Sequence, residues 1–174
     1  DRGLDALNYA CYQDARFILV ATPSGISLAP EGGAHQSSAT PLLGMAKPGL
    51  SAFEPAYADE LAVILRWSFE HLQAEEKTLE PSDLLGDQRG GSVYLRLSTR
   101  RIDQRERPLD TGLADQIIEG GYWLHPPADG ASLVIAYMGV MAPQALEAHK
   151  AITRYEPGAG LLAVTSADRL HRGW

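Results

Sequence analysis

The stretch ASLVIAYMGVMAPQALEAHKAITRYEPGAGLLAVTSADRL, residues 131–170, decides the fold class. It opens with a nearly unbroken apolar run, ASLVIAYMG, the pattern of a strand covered on both faces. APQALEAHKAITRY reads as a helix, with Pro143 near its start, where a missing backbone N–H is tolerated. AGLLAVTSADRL supplies a second apolar strand. Strand, helix and strand in this order predict a parallel crossover, right-handed as such connections are.

The same alternation runs through the upstream chain. Leu4, Leu7, Ala10 and Cys11 recur at helical spacing, and Arg16 then introduces the short apolar run FILVAT. Residues 23–49 are rich in glycine and proline and read as an irregular connection with one short helix near 37–44. LSAFEP at 50–55 reads as a strand. From Ala56 to Gln73 comes the clearest helix, with Asp59 and Glu60 in the first turn, where the helix dipole favours negative charge. Leu61, Ile64, Leu65, Ser68, Phe69 and Leu72 are its expected inner face. QAEEKTLEPSDLLGDQRGG reads as a surface excursion, and SVYLRLS at 92–98 as a strand alternating Val93, Leu95 and Leu97 with Tyr94 and Arg96. The expected class is α/β, a mostly parallel sheet flanked by helices. A mixed pattern over 103–130, with a turn at PPADG, divides the chain into residues 1–110, a linker at 111–130 and a second α/β module at 131–174.

With a net charge of -7 and a pI near 5.2, the chain has no broad attraction for nucleic acid or an anionic membrane. RRIDQRER at 100–107 mixes acids with its arginines and reads as a solvated segment. Cys11 is the single cysteine, which excludes an intrachain disulfide or a cysteine-built zinc site and suits a reducing compartment. The apolar runs are too short to span a bilayer, and no charged-then-apolar leader is present, so a cytoplasmic location is expected. The chain lacks a start methionine and stops at LHRGW, as a piece of something longer would.

Chemistry concentrates in LAPEGGAHQ, residues 28–36, which follows the first strand. In open α/β sheets ligands bind beyond the carboxyl ends of strands. Gly32 and Gly33 allow a sharp turn there. His35 can exchange a proton near neutral pH, Glu31 can bond substrate or orient the ring, and Gln36 both donates and accepts. Ser24 sits in no nucleophile elbow. His71, His125, His149 and His171 stand at no metal-ligand spacing.

DRGLDALNYACYQDARFILVATPSGISLAPEGGAHQ resembles the pyrimidine-binding domain of the transketolase-like thiamine diphosphate enzymes, where a helix leads to a strand and a loop ending in Asp-Gly-x-x-His-Gln or a close variant. FEPAYADELAVILRWSFE and GGSVYLRLSTR resemble the segments that follow in that family, and GGYWLHPPADGASLVIAYMGVMAPQALEAHKAI the start of its C-terminal domain. ATPSGISLAPEGGAHQS and GLLAVTSADRLHRGW look most like the homodimeric pyruvate dehydrogenase E1 family. The resemblance implies thiamine diphosphate and magnesium as cofactors. It further implies a homodimer, oxidative decarboxylation of a 2-oxo acid such as pyruvate, and acetyl transfer to the lipoyl group of a dihydrolipoyl acyltransferase. By the same resemblance His35 is catalytic and stands beside the cofactor, Glu31 and Gln36 contact or support substrate, and Arg100 is solvent-facing near the mouth of the site. Pro23 stands where transketolases carry a substrate-touching histidine, and Ser98-Thr99-Arg100 replaces their Ser-Arg for sugar phosphate. The family's cofactor-protonating glutamate would lie before Asp1, and its Gly-Asp-Gly motif for magnesium and diphosphate is not in the chain, so an isolated fragment is expected to be inactive. Transketolase, another thiamine diphosphate enzyme and a noncatalytic α/β dimerisation module are the alternatives.

Overall fold

The computed structural model describes residues 3–22, 25–33, 39–74 and 90–173. Of the expected surface excursion at 73–91, residues 75–89 lie outside them. Helix α1 (Leu4–Tyr12) leads into strand β1 (Ile18–Ala21), followed by the short helix α2 (Gly25–Leu28) and a 3₁₀ turn at Ala29–Glu31. Helix α3 (Thr40–Met45) precedes strand β2 (Leu50–Phe53), helix α4 (Ala58–Gln73) and strand β3 (Ser92–Arg96). These three strands form one parallel sheet in the order β1-β3-β2, with Val93 opposite Ile18 on one side and Ser51 on the other. Because β3 is central, all five of its residues are buried, Tyr94 and Arg96 included, rather than the alternate ones.

Helix α5 (Thr111–Glu119) and strand β4 (Gly121–His125) follow, then β5 (Val134–Met138), α6 (Ala142–Ile152), β6 (Gly160–Val164) and α7 (Ala167–Gly173). The decisive stretch is therefore a β5-α6-β6 unit, and its strands pair in parallel, Ile135 with Leu161. The second sheet has the order β4-β6-β5 with β4 antiparallel, Tyr122 opposite Ala163. The segment read as a linker thus holds a helix and an edge strand of this sheet. Asp110 caps α5 by accepting from the Leu113 amide at 2.8 Å. Gly120 ends it at φ 117°, where a Cβ would come within 2.5 Å of the Ser166 carbonyl oxygen.

One hydrophobic core joins the sheets, running from Phe53, Ile64 and Leu95 through Ile117 and Tyr122 to Leu161 and Ala163. Helix α4 buries Glu60, Ile64, Ser68 and His71, while Phe69, expected inside, is 56% exposed. Ser68 fits the interior because its hydroxyl donates to the Ile64 carbonyl at 2.6 Å. Polar bonds reinforce the junction. The Glu54 amide donates to the Thr165 carbonyl at 2.8 Å, joining the ends of β2 and β6. Arg169 is fully buried, its guanidinium 4.6 Å from the Trp67 ring centroid and its Nε donating to the Ile118 carbonyl. Among the described residues no helix is long and apolar enough to cross a membrane.

Candidate functional site

The carboxyl ends of β2 and β3 meet at one cleft. From β2 the chain continues through Pro55, Ala56 and Tyr57 into α4, and from β3 through Leu97, Ser98 and Arg100. Together with Leu61, Ile102 and Val140 these residues line a cleft of about 140 Å³. The loop after β1 reaches the same wall, since the Ser98 hydroxyl donates to the Ser27 hydroxyl at 3.1 Å. Ser98 also accepts the Arg100 amide at 3.1 Å and so fixes the start of the following segment.

Beneath the cleft lies an ion pair between Glu54, just past β2, and Arg96, the last residue of β3. Arg96 Nη1 stands 2.5 Å from Glu54 Oε2, and both side chains are less than a tenth exposed. Gly139, at φ 48°, lets the second sheet approach, because a Cβ there would fall 2.7 Å from Glu54 Cγ. Beside the pair is a second buried network. Glu60 Oε2 accepts the Ala56 and Tyr57 amides at 2.6 and 3.0 Å, capping α4. Its Oε1 accepts the Tyr122 hydroxyl at 2.5 Å and Arg107 Nη2 at 3.4 Å. Arg107 also donates from Nε to Asp59 at 2.6 Å and from Nη1 to Tyr122 at 2.7 Å. Burial and then the Glu60 charge push the Tyr122 phenol well above its ordinary range. Burial likewise raises Tyr137, with Tyr122, Tyr57 and Glu60 adding to it.

RRIDQRER is therefore not simply solvated. Arg101 and Arg105 are exposed, but Arg107 pins α4 to β4. Arg100, expected to point into solvent, is exposed yet partnered. With its amide oxygen turned toward the guanidinium, Gln144 of α6 accepts from Nη1 at 3.0 Å and Nη2 at 2.8 Å.

The glycine loop is seen in part. Glu31 is exposed at the end of its 3₁₀ turn, and Gly32 and Gly33 take φ 72° and 57°. Among the described residues neither glycine has a neighbour within 4 Å of a built Cβ, and the positive φ by itself favours glycine at both. His35, Gln36, Pro23 and Ser24 lie outside the described residues. The structure brings Ser98 and Arg100 together at the strand ends with the loop's Ser27. Glu54, Arg96, Arg107, Gln144 and Arg169 were not singled out from the sequence; the available signals were an acid just after an apolar strand and an arginine inside the next. His125 and His149, far apart in sequence, stack with centroids 4.8 Å apart and planes 4° from parallel. His149 Nε2 stands 2.8 Å from the Ala159 carbonyl oxygen. Partial burial, with His149 and Arg105 nearby, lowers the His125 imidazole below its usual value.

As a chemical site the cleft has one guanidinium, hydroxyls and apolar walls, an arrangement for holding a small anion. Among its described lining residues there is no nucleophile paired with a base. Among the described residues no three His, Cys, Asp or Glu side chains gather to hold a metal ion. The cleft is also well below the roughly 300–1,000 Å³ of sites that enclose cofactor-sized ligands. This cleft therefore does not by itself hold thiamine diphosphate, and no ligand set for its magnesium gathers among the described residues.

No family model and no curated protein sequence matches the chain. Its fold is that of transketolases. A mutant transketolase from Pichia stipitis superposes with a TM-score of 0.73 at 19% identity, over 98% of this chain and 22% of that one. Transketolase from Leishmania mexicana gives 0.71 at 16% identity, over 97% and 22%. A split-gene transketolase, solved as an inactive beta4 tetramer, gives 0.64 at 20% identity, over 93% and 44%. The chain thus spans about a fifth of the length of the first two and under half of the third.

Proposed function

We propose that the protein is part of a thiamine diphosphate-dependent pyruvate dehydrogenase E1 component, contributing the wall that carries His35. The observation that carries this reading is the cleft at the ends of the parallel strands β2 and β3, tied through Ser98 and Ser27 to the loop after β1 that continues into the Glu31-Gly32-Gly33 turn. Thiamine diphosphate, held by polypeptide beyond the described residues, would supply the carbanion chemistry on the 2-oxo acid. His35 would hold the proton that the substrate carbonyl oxygen takes up and gives back, and Gln36 and Glu31 would position the ring and substrate. Acetyl would then pass to the lipoyl group of a dihydrolipoyl acyltransferase. Homodimer formation is supported by α1, which has no buried residue and leaves Tyr9 and Tyr12 61% and 86% exposed.

Transketolase activity is the second reading, favoured by the identity of the structural neighbours. Pro23 and the replacement of Ser-Arg by Ser98-Thr99-Arg100 speak for pyruvate. So does the closing of Arg96 on Glu54, which leaves that guanidinium with no charge to offer a phosphate. His35→Ala in the assembled enzyme tests the assignment. Loss of a positioned acid–base group should lower kcat on pyruvate by roughly 10²–10⁴-fold with the far-ultraviolet circular dichroism unchanged. An unaltered rate would favour a noncatalytic module.

A further inference from the structure

We infer that the cleft at the ends of β2 and β3 is a capture subsite for a short monocarboxylate, with Arg100 as its anion-binding residue and Gln144 as the residue that positions it. This rests on the proposed 2-oxo acid substrate and adds how that acid is selected.

Arg100 is the one charged residue among the described residues of the cleft lining. The nearby groups are spent on one another: Arg96 on Glu54, and Arg107 on Asp59 and Glu60. The first amides of α4, which would otherwise attract an anion, already face Glu60 Oε2, and the Ala58 amide faces Gln104 Oε1 at 2.8 Å. A single positive charge suits a monoanion better than a phosphate dianion. Gln144 takes one proton from each of Nη1 and Nη2, and among the described residues no other acceptor meets the guanidinium. The Nε–H and the adjacent Nη–H remain as a planar fork, the arrangement that matches the two oxygens of a carboxylate. Leu61, Leu97, Ile102, Val140 and Pro55 offer an alkyl group apolar contact, with the Tyr57 and Ser98 side chains beside them.

The subsite acts before chemistry. Decarboxylation disperses the carboxylate charge, so a guanidinium still gripping that carboxylate would stabilise the ground state more than the transition state. Capture there raises the local concentration of substrate, which then moves on to react. In the assembled enzyme, Arg100→Gln should therefore raise KM for pyruvate roughly tenfold and leave kcat nearly unchanged.

The direct test is nuclear magnetic resonance titration of the protein itself. Pyruvate should shift the Arg100 Nε–H and Gln144 side-chain amide signals saturably at millimolar concentration, and inorganic phosphate at equal ionic strength should do so several-fold more weakly. Arg100→Gln should abolish the pyruvate response in a protein whose other amide signals are retained. Arg100→Lys, which keeps the charge without the fork, should bind both anions alike. No saturable shift with pyruvate, equal shifts with phosphate in the parent protein, or a response that survives Arg100→Gln would each overturn the subsite. Because the titration needs no turnover, a saturable response in a protein inactive on pyruvate would leave the subsite standing and remove the E1 assignment instead.

Discussion

At the residue scale, Glu54 and Arg96 show how a strand end is fixed. Two opposite charges taken from water recover the desolvation cost only through close pairing, and removing one partner strands the other. Glu54→Gln should destabilise the protein by roughly 3–5 kcal/mol, measured by urea unfolding. Combining it with Arg96→Met should restore part of that loss, because the buried charge is then gone as well. A near-neutral single substitution would mean that the pair contributes nothing at the junction. Neither residue announced itself in the sequence. In SVYLRLS the arginine alternates with apolar neighbours, which is what an exposed position in a half-buried strand also looks like. Its burial follows from β3 being the central strand, and strand order is a long-range property.

At the scale of elements, the helix and strand at 111–125 stand where only a mixed segment was expected. Their local signals were present: Asp110 as a cap, Gly120 as a stop, and a short run, GYWLH, between glycine and proline. They were weak because α5 has nine residues and β4 five, too few for periodicity to stand out. By contrast α4, with sixteen residues, and the β5-α6-β6 unit were legible from pattern alone. The glycine turn was legible as well, and Gly32 and Gly33 take the left-handed conformation that their identity suggested. Arg107 was misread because a charged run describes a solvated face until a distant Tyr122 and Glu60 are brought to it. Asp110→Ala should lower stability by about 1 kcal/mol, seen as a reduced urea midpoint, through loss of the cap on α5. An unchanged midpoint would make α5 independent of its cap.

At the scale of the whole molecule, the polar network and the shared core join the two sheets. Glu60 and Asp59 come from α4, Arg107 from the connecting segment and Tyr122 from β4. The network carries a pH signature. A phenol raised in the folded state holds its proton after the unfolded chain has released it. Stability is then fully present below the ordinary phenol value of 10.0 and falls as pH rises past it. Urea unfolding should show one transition throughout, with its free energy declining above that pH by about 1.4 kcal/mol per pH unit for each raised tyrosine. Tyr122→Phe should reduce the slope by one proton. Two separate transitions, or a slope that Tyr122→Phe leaves untouched, would contradict the junction as described.

The strand-end cleft is proposed to serve pyruvate rather than a sugar phosphate. A parallel assay decides this: the assembled enzyme that contains this chain, with thiamine diphosphate and magnesium, is given pyruvate with a lipoyl acceptor and xylulose 5-phosphate with a sugar-phosphate acceptor. Carbon dioxide release and acetyl transfer from pyruvate are expected, with no two-carbon transfer from the sugar phosphate. Two-carbon transfer from xylulose 5-phosphate, with pyruvate left intact, would contradict the proposed role.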